Sequence, residues 1–372
     1  MQLNQRNLLV AGGILVALII VLGTLVVLGG GDDGAVDVVA SSTTSSTTTT
    51  STTTTSTLPS GPFAPLTGEH IDADSPLLDR AAIVVKISNN MSVQDNWQGI
   101  DQADVVIEER IEANATRFAA VFHSILPESV GPIRSGRTSD LDLLANLGTP
   151  ILVYSGANPS VTGQLRSLEN DGLVTLVVDR GTNVDLVRDN AFSRPDNLFS
   201  NLVEIEEKYR DGAGVALPLF EYREATSGDR SAGVDVDGVT VKGADTVSFV
   251  WDETRGYVRV QNGDVHTTLD GTPFVFDNIV VLEVEYTPST FAPGSVDAKT
   301  VGAGTLNLLI GGTRYEGTWS RESSTSAYQF FDAAGDPLRL DPGQTWMTLV
   351  PAGSYEFVVA PEIAALALEA DG

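Results

Sequence analysis

The stretch DVVIEERIEANATRFAAVFH, residues 104–123, decides how this chain folds. It contains two runs rich in Val, Ile and Phe, residues 104–111 and 117–123, and both are short enough to be β-strands. A turn at residues 113–115 separates the two runs. The sequence therefore predicts two strands that pair with each other through this turn.

The first of these strands has charged residues in its second half. Period two places Glu108 and Glu112 on one polar face, where Arg117 of the second strand meets them, and places Glu109 on the apolar face. Such a carboxylate–arginine cluster can provide a general acid and its anion anchor, or it can be a satisfied ion-pair network. A buried Glu109 needs a partner or stays protonated.

Strand and helix patterns alternate through the rest of the first region, residues 59–224. The predicted strands are residues 81–87 and 151–154, and the predicted helices are residues 135–147, 159–172 and 200–209. This alternation indicates a mixed sheet that is covered by helices.

The second region, residues 225–372, is rich in Gly, Thr, Val and Asp, and turn signals recur about every ten residues, which is typical of β structure. Its predicted strands are residues 234–242, 246–251, 257–261, 274–286, 305–310 and 344–350. The expected fold class is α+β, with a mixed α/β region packed with a β-rich region. The boundary is expected near residues 225–233.

The motif Gly131-Pro-Ile-Arg-Ser-Gly-Arg is the most suggestive one for function. Arg134 and Arg137 directly precede a predicted helix. Their guanidinium groups and the free backbone N–H groups at the start of that helix could together bind one anion. That anion is either a carboxylate or phosphate of a cell-wall polymer, or a carboxylate of the protein itself.

Composition excludes several classes of function. With 22 Lys and Arg against 49 Asp and Glu, the net charge of -27 repels nucleic acid, so no nucleic-acid partner is expected. The chain has no Cys, and its three His have no metal-binding spacing, so we expect neither a metal nor a cofactor. Glu108 and Glu112 would lie about 13 Å apart along an extended strand, too far for a glycosidase pair.

The N-terminus predicts a membrane anchor followed by a spacer. The segment from Leu8 to Leu28 carries no charge, and as a helix it would reach about 31 Å, the thickness of a bilayer core. Arg6 precedes it and aspartates follow it, so the N-terminus is expected in the cytoplasm and the rest outside. Residues 31–58 include an unbroken run of Ser and Thr and predict a disordered stalk. A cleaved signal peptide is the alternative.

Six short motifs follow the stalk in order. They are Pro65-Leu-Thr-Gly, Gln102-Ala-Asp-Val-Val-Ile-Glu, Thr116-Arg-Phe-Ala-Ala-Val-Phe, Gly131-Pro-Ile-Arg-Ser-Gly-Arg, Gly317-Thr-Trp-Ser and Asp341-Pro-Gly-Gln-Thr-Trp-Met. Together they resemble the N- and C-terminal parts of the YerB family of bacterial lipoproteins, a domain of unknown function. The resemblance implies a place outside the cytoplasmic membrane and a related fold, and it supplies no activity. The chain departs from the family where an apolar segment replaces the lipidated cysteine and where Asp196 replaces a histidine.

Two functions remain open on the sequence alone. The first is a non-catalytic envelope protein that binds a cell-wall polymer or an envelope protein through Arg117, Arg134, Arg137, Glu108 and Glu112. The second is an enzyme acting on cell-wall polymers, with Glu108 or Glu112 as acid/base. A cleft that unites these five residues would favour the enzyme, and burial in paired contacts would disfavour it. The working surface can also lie on the β-rich region, around any exposed tryptophan.

Overall fold

The computed structural model describes residues 61–90, 96–179, 185–224 and 233–358. These described residues belong to one compact unit. The predicted anchor between Leu8 and Leu28 and the predicted stalk lie outside the described residues. Over the described ranges, no helix is long and apolar enough to cross a membrane. The anchor and the stalk therefore stay predictions from the sequence.

The first region consists of alternating strands and helices. Its elements are β1 (Ile83–Ser88), β2 (Val105–Arg110), β3 (Thr116–Phe122), α1 (Asp140–Leu144), β4 (Ile151–Tyr154), α2 (Pro159–Asn170), β5 (Thr175–Val178), β6 (Val187–Arg188), β7 (Leu198–Phe199) and α3 (Leu202–Tyr209). Short 3-10 turns occur at Pro76–Leu78, Ile100–Gln102, Glu112–Asn114 and Arg210–Gly212. All four predicted strands of this region form.

The second region is built from strands, as its composition predicts. They are β8 (Val234–Asp235), β9 (Gly238–Lys242), β10 (Thr246–Asp252), β11 (Gly256–Gln261), β12 (Asp264–Val265), β13 (Val275–Phe276), β14 (Asn278–Glu283), β15 (Tyr286–Pro288), β16 (Val296–Ala298), β17 (Gly302–Ile310), β18 (Thr313–Arg321), β19 (Gln329–Asp332), β20 (Thr345–Val350) and β21 (Tyr355–Val358).

A large mixed sheet contains strands from both regions. Its order is β19-β18-β17-β14-β20-β2-β3-β1-β4-β5, and β8 pairs with β18 beside this path. The predicted hairpin forms, because β2 and β3 pair antiparallel across the turn. Strand β20 lies between β14 and β2 and runs parallel to both, with Val105 opposite Thr345. The β-rich region thus completes the sheet that the first region begins.

A second sheet has the order β12-β11-β10-β9-β21, and β13 pairs with β11. The large sheet buries apolar side chains on both of its faces, which explains why its central strands are buried along nearly their whole length. Helices α1 and α2 contribute Leu143, Leu144, Val161 and Leu165 to the core on one face. Helix α3 and the second sheet contribute to the core on the other face. Trp319 and Trp346 belong to these cores.

The helix predicted over residues 135–147 is much shorter than expected. Helix α1 spans only Asp140–Leu144, and its N-cap residue Ser139 makes no capping hydrogen bond through its side chain. The backbone of the preceding residues is used elsewhere, since the N–H of Gly136 donates to the carbonyl of Gly156 at 2.9 Å. The prediction of free helix N–H groups beside Arg134 and Arg137 was therefore wrong.

Candidate functional site

The segment from Gly131 to Thr138, here called the arginine loop, lies at the carboxyl ends of the parallel strands β1 and β4. The N–H of Arg134 donates to the carbonyl of Lys86 at 2.8 Å, and the carbonyl of Arg134 accepts from the N–H of Ser155 at 3.0 Å. The loop is thus held to both strands by main-chain hydrogen bonds. The carboxyl ends of parallel strands are the edge at which open α/β sheets bind ligands.

Three arginines, here called the arginine cluster, meet at this edge: Arg117, Arg134 and Arg137. The guanidinium groups of Arg117 and Arg137 share one acceptor, since both donate from NH1 to the carbonyl of Ser135, at 3.4 and 3.3 Å. Burial lowers the pKa of Arg117 to about 9, and the positive charges of Arg137 and Arg134 act in the same direction. The three cations therefore lie close enough to repel one another.

Arg137 has an acidic partner at the rim of the cluster. Its Nε and NH2 atoms lie 3.2 and 3.1 Å from Oε2 of Glu112. The hydroxyl of Ser295, in the hairpin between β15 and β16, donates to the other oxygen of Glu112. Partial burial acts to raise the pKa of Glu112, but the hydrogen bonds from Ser295 and Arg137 outweigh it and the pKa is lowered. Glu112 therefore stays ionised and is a poor general acid at neutral pH.

Arg134 is paired more loosely. Its NH1 atom lies 3.5 Å from Oδ1 of Asp196, and the side chain is 24% exposed. Asp196 is fixed independently of Arg134, because Asn90 donates to its Oδ2 at 3.2 Å and Asn96 donates to its backbone carbonyl at 2.9 Å. Part of the Arg134 side chain therefore remains exposed to solvent, while the Asp196 carboxylate beside it is held in place by other residues.

A buried ionic triad lies below the arginine cluster. The Nζ atom of Lys86 is 2.6 Å from both Oε1 of Glu109 and Oδ1 of Asp140, and all three side chains are fully buried. The prediction that Glu109 needs a partner on the apolar face is confirmed. Burial raises the pKa of Glu109, and the nearby charge of Asp140 adds to the effect against the attraction of Lys86.

Glu108 lies on the opposite face of the large sheet, between the two sheets. Both of its carboxylate oxygens accept from NH2 of Arg259, at 3.1 and 3.2 Å, and Oε2 also accepts from the indole of Trp346 at 3.1 Å. Thr116 donates to Oε1 at 2.7 Å. This carboxylate is fully paired inside the protein.

The structure therefore brings together four of the five predicted contact residues: Arg117, Arg134, Arg137 and Glu112. Glu108 is separated from them by the sheet itself. Two corrections explain this. Arg117 stands opposite Glu109 in the hairpin and shares its face, whereas Glu108 stands opposite Phe118. Strand β2 ends at Arg110, so the chain is no longer extended at Glu112, and the period-two assignment of that residue fails.

Sequence reasoning missed Lys86, Asp140 and Arg259. Lys86 interrupts an otherwise apolar strand, which is a usable signal for a buried charge that has a partner. Asp140 was read as part of a helix start. Arg259 has no local signal, since its partner Glu108 lies 151 residues earlier. Among the described residues, no group of three or more His, Cys, Asp or Glu is arranged to hold a metal ion.

Comparisons with known proteins agree with the fold. Residues 66–215 match the family "Protein of unknown function (DUF3048) N-terminal domain", and residues 238–347 match its C-terminal domain. A curated relative, "Putative lipoprotein YerB" from Bacillus subtilis (strain 168), is 28% identical over 296 residues, which are 77% of this chain and 86% of the relative. The crystal structure of the Bacillus subtilis YerB protein is similar with a TM-score of 0.68 at 23% identity, covering 80% of this chain and 99% of that one.

Proposed function

Since this chain is a YerB-like protein that belongs to the DUF3048 family, we propose that it is a membrane-associated envelope protein that acts outside the cytoplasmic membrane. It binds a cell-wall polymer through the arginine cluster. The lipoprotein relative supports the location. The convergence of three arginines at one sheet edge, in a chain of net charge -27, supports the binding role.

The membrane attachment proposed here is a single helix between Leu8 and Leu28 with the N-terminus in the cytoplasm. The absence of cysteine from the chain supports a helix rather than a lipid anchor on a cysteine. The Ser- and Thr-rich residues 31–58 would hold the folded body away from the lipid surface.

The rim of the arginine cluster supports contact with a large ligand. Arg134 and Arg137 keep 24% and 18% of their side chains exposed, although each has one acidic neighbour. Glu112 is 41% exposed, so its pair with Arg137 contributes little to stability and a ligand anion can displace it at small cost. Asp196 stays in place, and Arg134 contacts the ligand through the exposed part of its side chain. A polymer with repeated anionic groups would gain from several such contacts.

The geometry does not favour the alternative of an enzyme that uses Glu108 or Glu112 as acid/base. Glu108 is buried against Arg259, and the pKa of Glu112 is lowered rather than raised. A general acid at neutral pH needs a raised pKa and access to the substrate.

The test is a pull-down of the full-length chain, purified in detergent, with isolated cell walls that have been treated with protease. The test variant is Arg134→Ala, Arg137→Ala. The matched control is Arg210→Ala, Arg339→Ala, which removes two exposed, ion-paired arginines elsewhere and changes the net charge equally. We expect the test variant to lose at least about tenfold in affinity, as for the loss of two charge-assisted contacts. The control should bind like wild type.

Equal binding by all three proteins would show that the arginine cluster is not the contact surface. Binding to untreated walls that is lost with protease-treated walls would contradict a polymer as the ligand and would indicate an envelope protein as the partner. Binding should also weaken with added salt, because the contacts are between partly exposed charges.

A further inference from the structure

We propose that Arg117 forms the inner wall of a site for one singly charged oxyanion, the chemistry that a phosphodiester and a carboxylate share. This inference rests on the proposed function, because it names the chemical group by which an envelope polymer is held.

The hydrogen bonding of Arg117 carries the proposal. A guanidinium has five N–H donors, and one that is buried normally has several acceptors. Arg117 is only 4% exposed, yet its one hydrogen bond within the described ranges is the 3.4 Å contact from NH1 to the carbonyl of Ser135. Its Nε atom is buried without any acceptor. No carboxylate of the described residues lies within 4.0 Å of it.

The other buried arginines show what a structural role looks like in this protein. The NH2 atom of Arg259 donates to both carboxylate oxygens of Glu108, although its Nε atom, like that of Arg117, is buried without an acceptor. Arg321 donates to the carbonyls of Ser326, Asp142 and Ser324 at 2.9, 2.8 and 2.5 Å. Arg117 has no carboxylate within 4.0 Å and no set of carbonyls, although Glu109 and Asp196 attract its charge from a greater distance. Its remaining donors have no acceptor within the described residues, and we assign them to an acceptor from outside the chain.

We assign Arg134 to the solvent side of the site, because it is the most exposed arginine of the cluster. That side chain is partly exposed, and its closest acidic atom is 3.5 Å away on Asp196. Arg137 closes the other side, where its NH1 atom is held by the carbonyls of Ser135 and Gly136. Burial and, after it, the charges of Arg137 and Arg134 lower the pKa of Arg117, and an anion between Arg117 and Arg134 would oppose this shift.

The charges around the site favour a single negative charge on the ligand. Within the described part of the chain, the cations are Lys86 and the arginine cluster, and the carboxylates are Glu109, Glu112, Asp140 and Asp196. These charges balance when all are ionised. Burial acts to raise the pKa of Glu109, and a proton on Glu109 would add one positive charge to this balance. A doubly charged anion would leave the site with excess negative charge in a low-dielectric environment.

The experiment measures the thermal unfolding of the full-length chain in detergent with dimethyl phosphate, acetate or sulfate, with chloride added to keep the ionic strength constant. We expect dimethyl phosphate or acetate to raise the Tm by about 3 °C at ten times its Kd. Sulfate stabilises folded proteins in general, so each anion's shift is compared with the shift that the same anion gives with Arg117→Met, and this difference should be smallest for sulfate. A larger shift with dimethyl phosphate indicates a phosphodiester source, and a larger shift with acetate indicates a carboxylate source.

The variant Arg117→Met should abolish the shift and should unfold without ligand at the wild-type Tm or above it, because it removes a buried charge that has no carboxylate within 4.0 Å. The comparison variant Arg259→Met should instead lower the Tm, because it leaves Glu108 without its cation. If Arg117→Met does not fold, Arg134→Met, at a partly exposed residue, must lose the shift instead.

The proposal is overturned if neither monoanion raises the Tm above its value in chloride alone, or if sulfate gives the largest shift that depends on Arg117. It is also overturned if Arg117→Met keeps the shift, or if Arg117→Met folds but loses stability as Arg259→Met does. If the protein binds cell walls but no anion raises its Tm, the proposed function stands and this anion site is wrong. If an anion raises the Tm but the protein does not bind cell walls, the anion site stands and the proposed function is wrong.

Discussion

The ion pair between Glu108 and Arg259 joins the two sheets at a point where both side chains are almost completely buried. The guanidinium also lies over the ring of Trp346, 4.7 Å from its centre, and over Phe118 at 5.2 Å. The sequence identifies Glu108 as a residue of interest because period two places it with Glu112 on the polar face of its strand. It did not identify the role, since the partner comes from a strand of the other region and the two sheets pack only in the folded chain.

Removing one member of this pair should be costly. We expect Arg259→Met to lower the free energy of unfolding by about 3–5 kcal/mol, because a buried carboxylate is left without its cation. The double variant Glu108→Gln, Arg259→Met should recover much of that loss. Urea denaturation of the single and double variants measures the coupling. If the losses of the two single variants simply add, the two side chains do not act as a pair.

The triad of Lys86, Glu109 and Asp140 should make a variant pH-dependent. In Lys86→Met the two carboxylates face each other without a cation, so the raised pKa of Glu109 should rise further. Stability from a group whose pKa is raised on folding is present at low pH and is lost as the pH rises through the folded-state pKa. We therefore expect a loss of about 3–5 kcal/mol in the free energy of unfolding at pH 8 and a smaller loss at pH 5.

Urea denaturation at both pH values tests the Lys86 prediction. The control is Lys242→Met, which removes an exposed lysine paired with Glu356 and should change stability by less than about 1 kcal/mol at either pH. If Lys86→Met loses the same free energy of unfolding at pH 5 and at pH 8, the buried triad is not the source of the pH dependence.

At the scale of elements, the arginine loop depends on a close approach to strand β7. A Cβ atom on Gly131 would lie 2.6 Å from Cδ1 of Phe199 and 2.7 Å from the carbonyl oxygen of Leu198. The N–H of Ile133 donates to that same carbonyl at 2.7 Å. The glycine of the motif is therefore required by packing, and the arginines beyond it are positioned by the contact that it allows.

Gly131→Ala should displace the arginine loop and lower the Tm by several degrees, because the clash involves backbone as well as a ring. Gly136→Ala is the matched control in the same loop, since its Cβ would meet no atom closer than 3.4 Å. The Tm and the binding to cell walls are measured for both alanine variants. Equal behaviour of the two alanine variants would show that close packing at Gly131 does not position the loop.

All four predicted strands of the first region form, for a physical reason. Each of β1, β2, β3 and β4 contains an apolar run of three or more residues, and burial on both faces of a sheet requires such runs. Helices α2 and α3 also form close to their predicted bounds. Helix α1 was predicted too long because Ser, Thr and Asp ahead of leucines are typical of a helix start. Here the Asp140 carboxylate accepts from the N–H of Arg137 at 2.7 Å, which fixes a loop in that place.

At the scale of the whole molecule, the sequence changes near residue 225 from a mixed strand and helix pattern to a β pattern, but the large sheet is not divided there. The parallel pair of β2 and β20 joins residues some 240 positions apart, and it has no counterpart in any local pattern. Both cores therefore contain side chains from both regions. The arginine cluster shares this dependence, because Ser295 of the second region holds Glu112 beside Arg137.

The orientation of the whole chain in the membrane can be tested directly, because the chain has no cysteine and any introduced thiol is unique. We expect a cysteine at Ser41, beyond the apolar segment, to react in intact cells with a maleimide that cannot cross membranes. A cysteine at Gln5, before the segment, should react only after the cells are permeabilised, because Arg6 favours the cytoplasmic side. Labelling of Gln5→Cys in intact cells would contradict the proposed orientation. Loss of the Gln5→Cys thiol from the mature protein, with the Ser41→Cys thiol retained, would instead show that the segment is cleaved as a signal peptide.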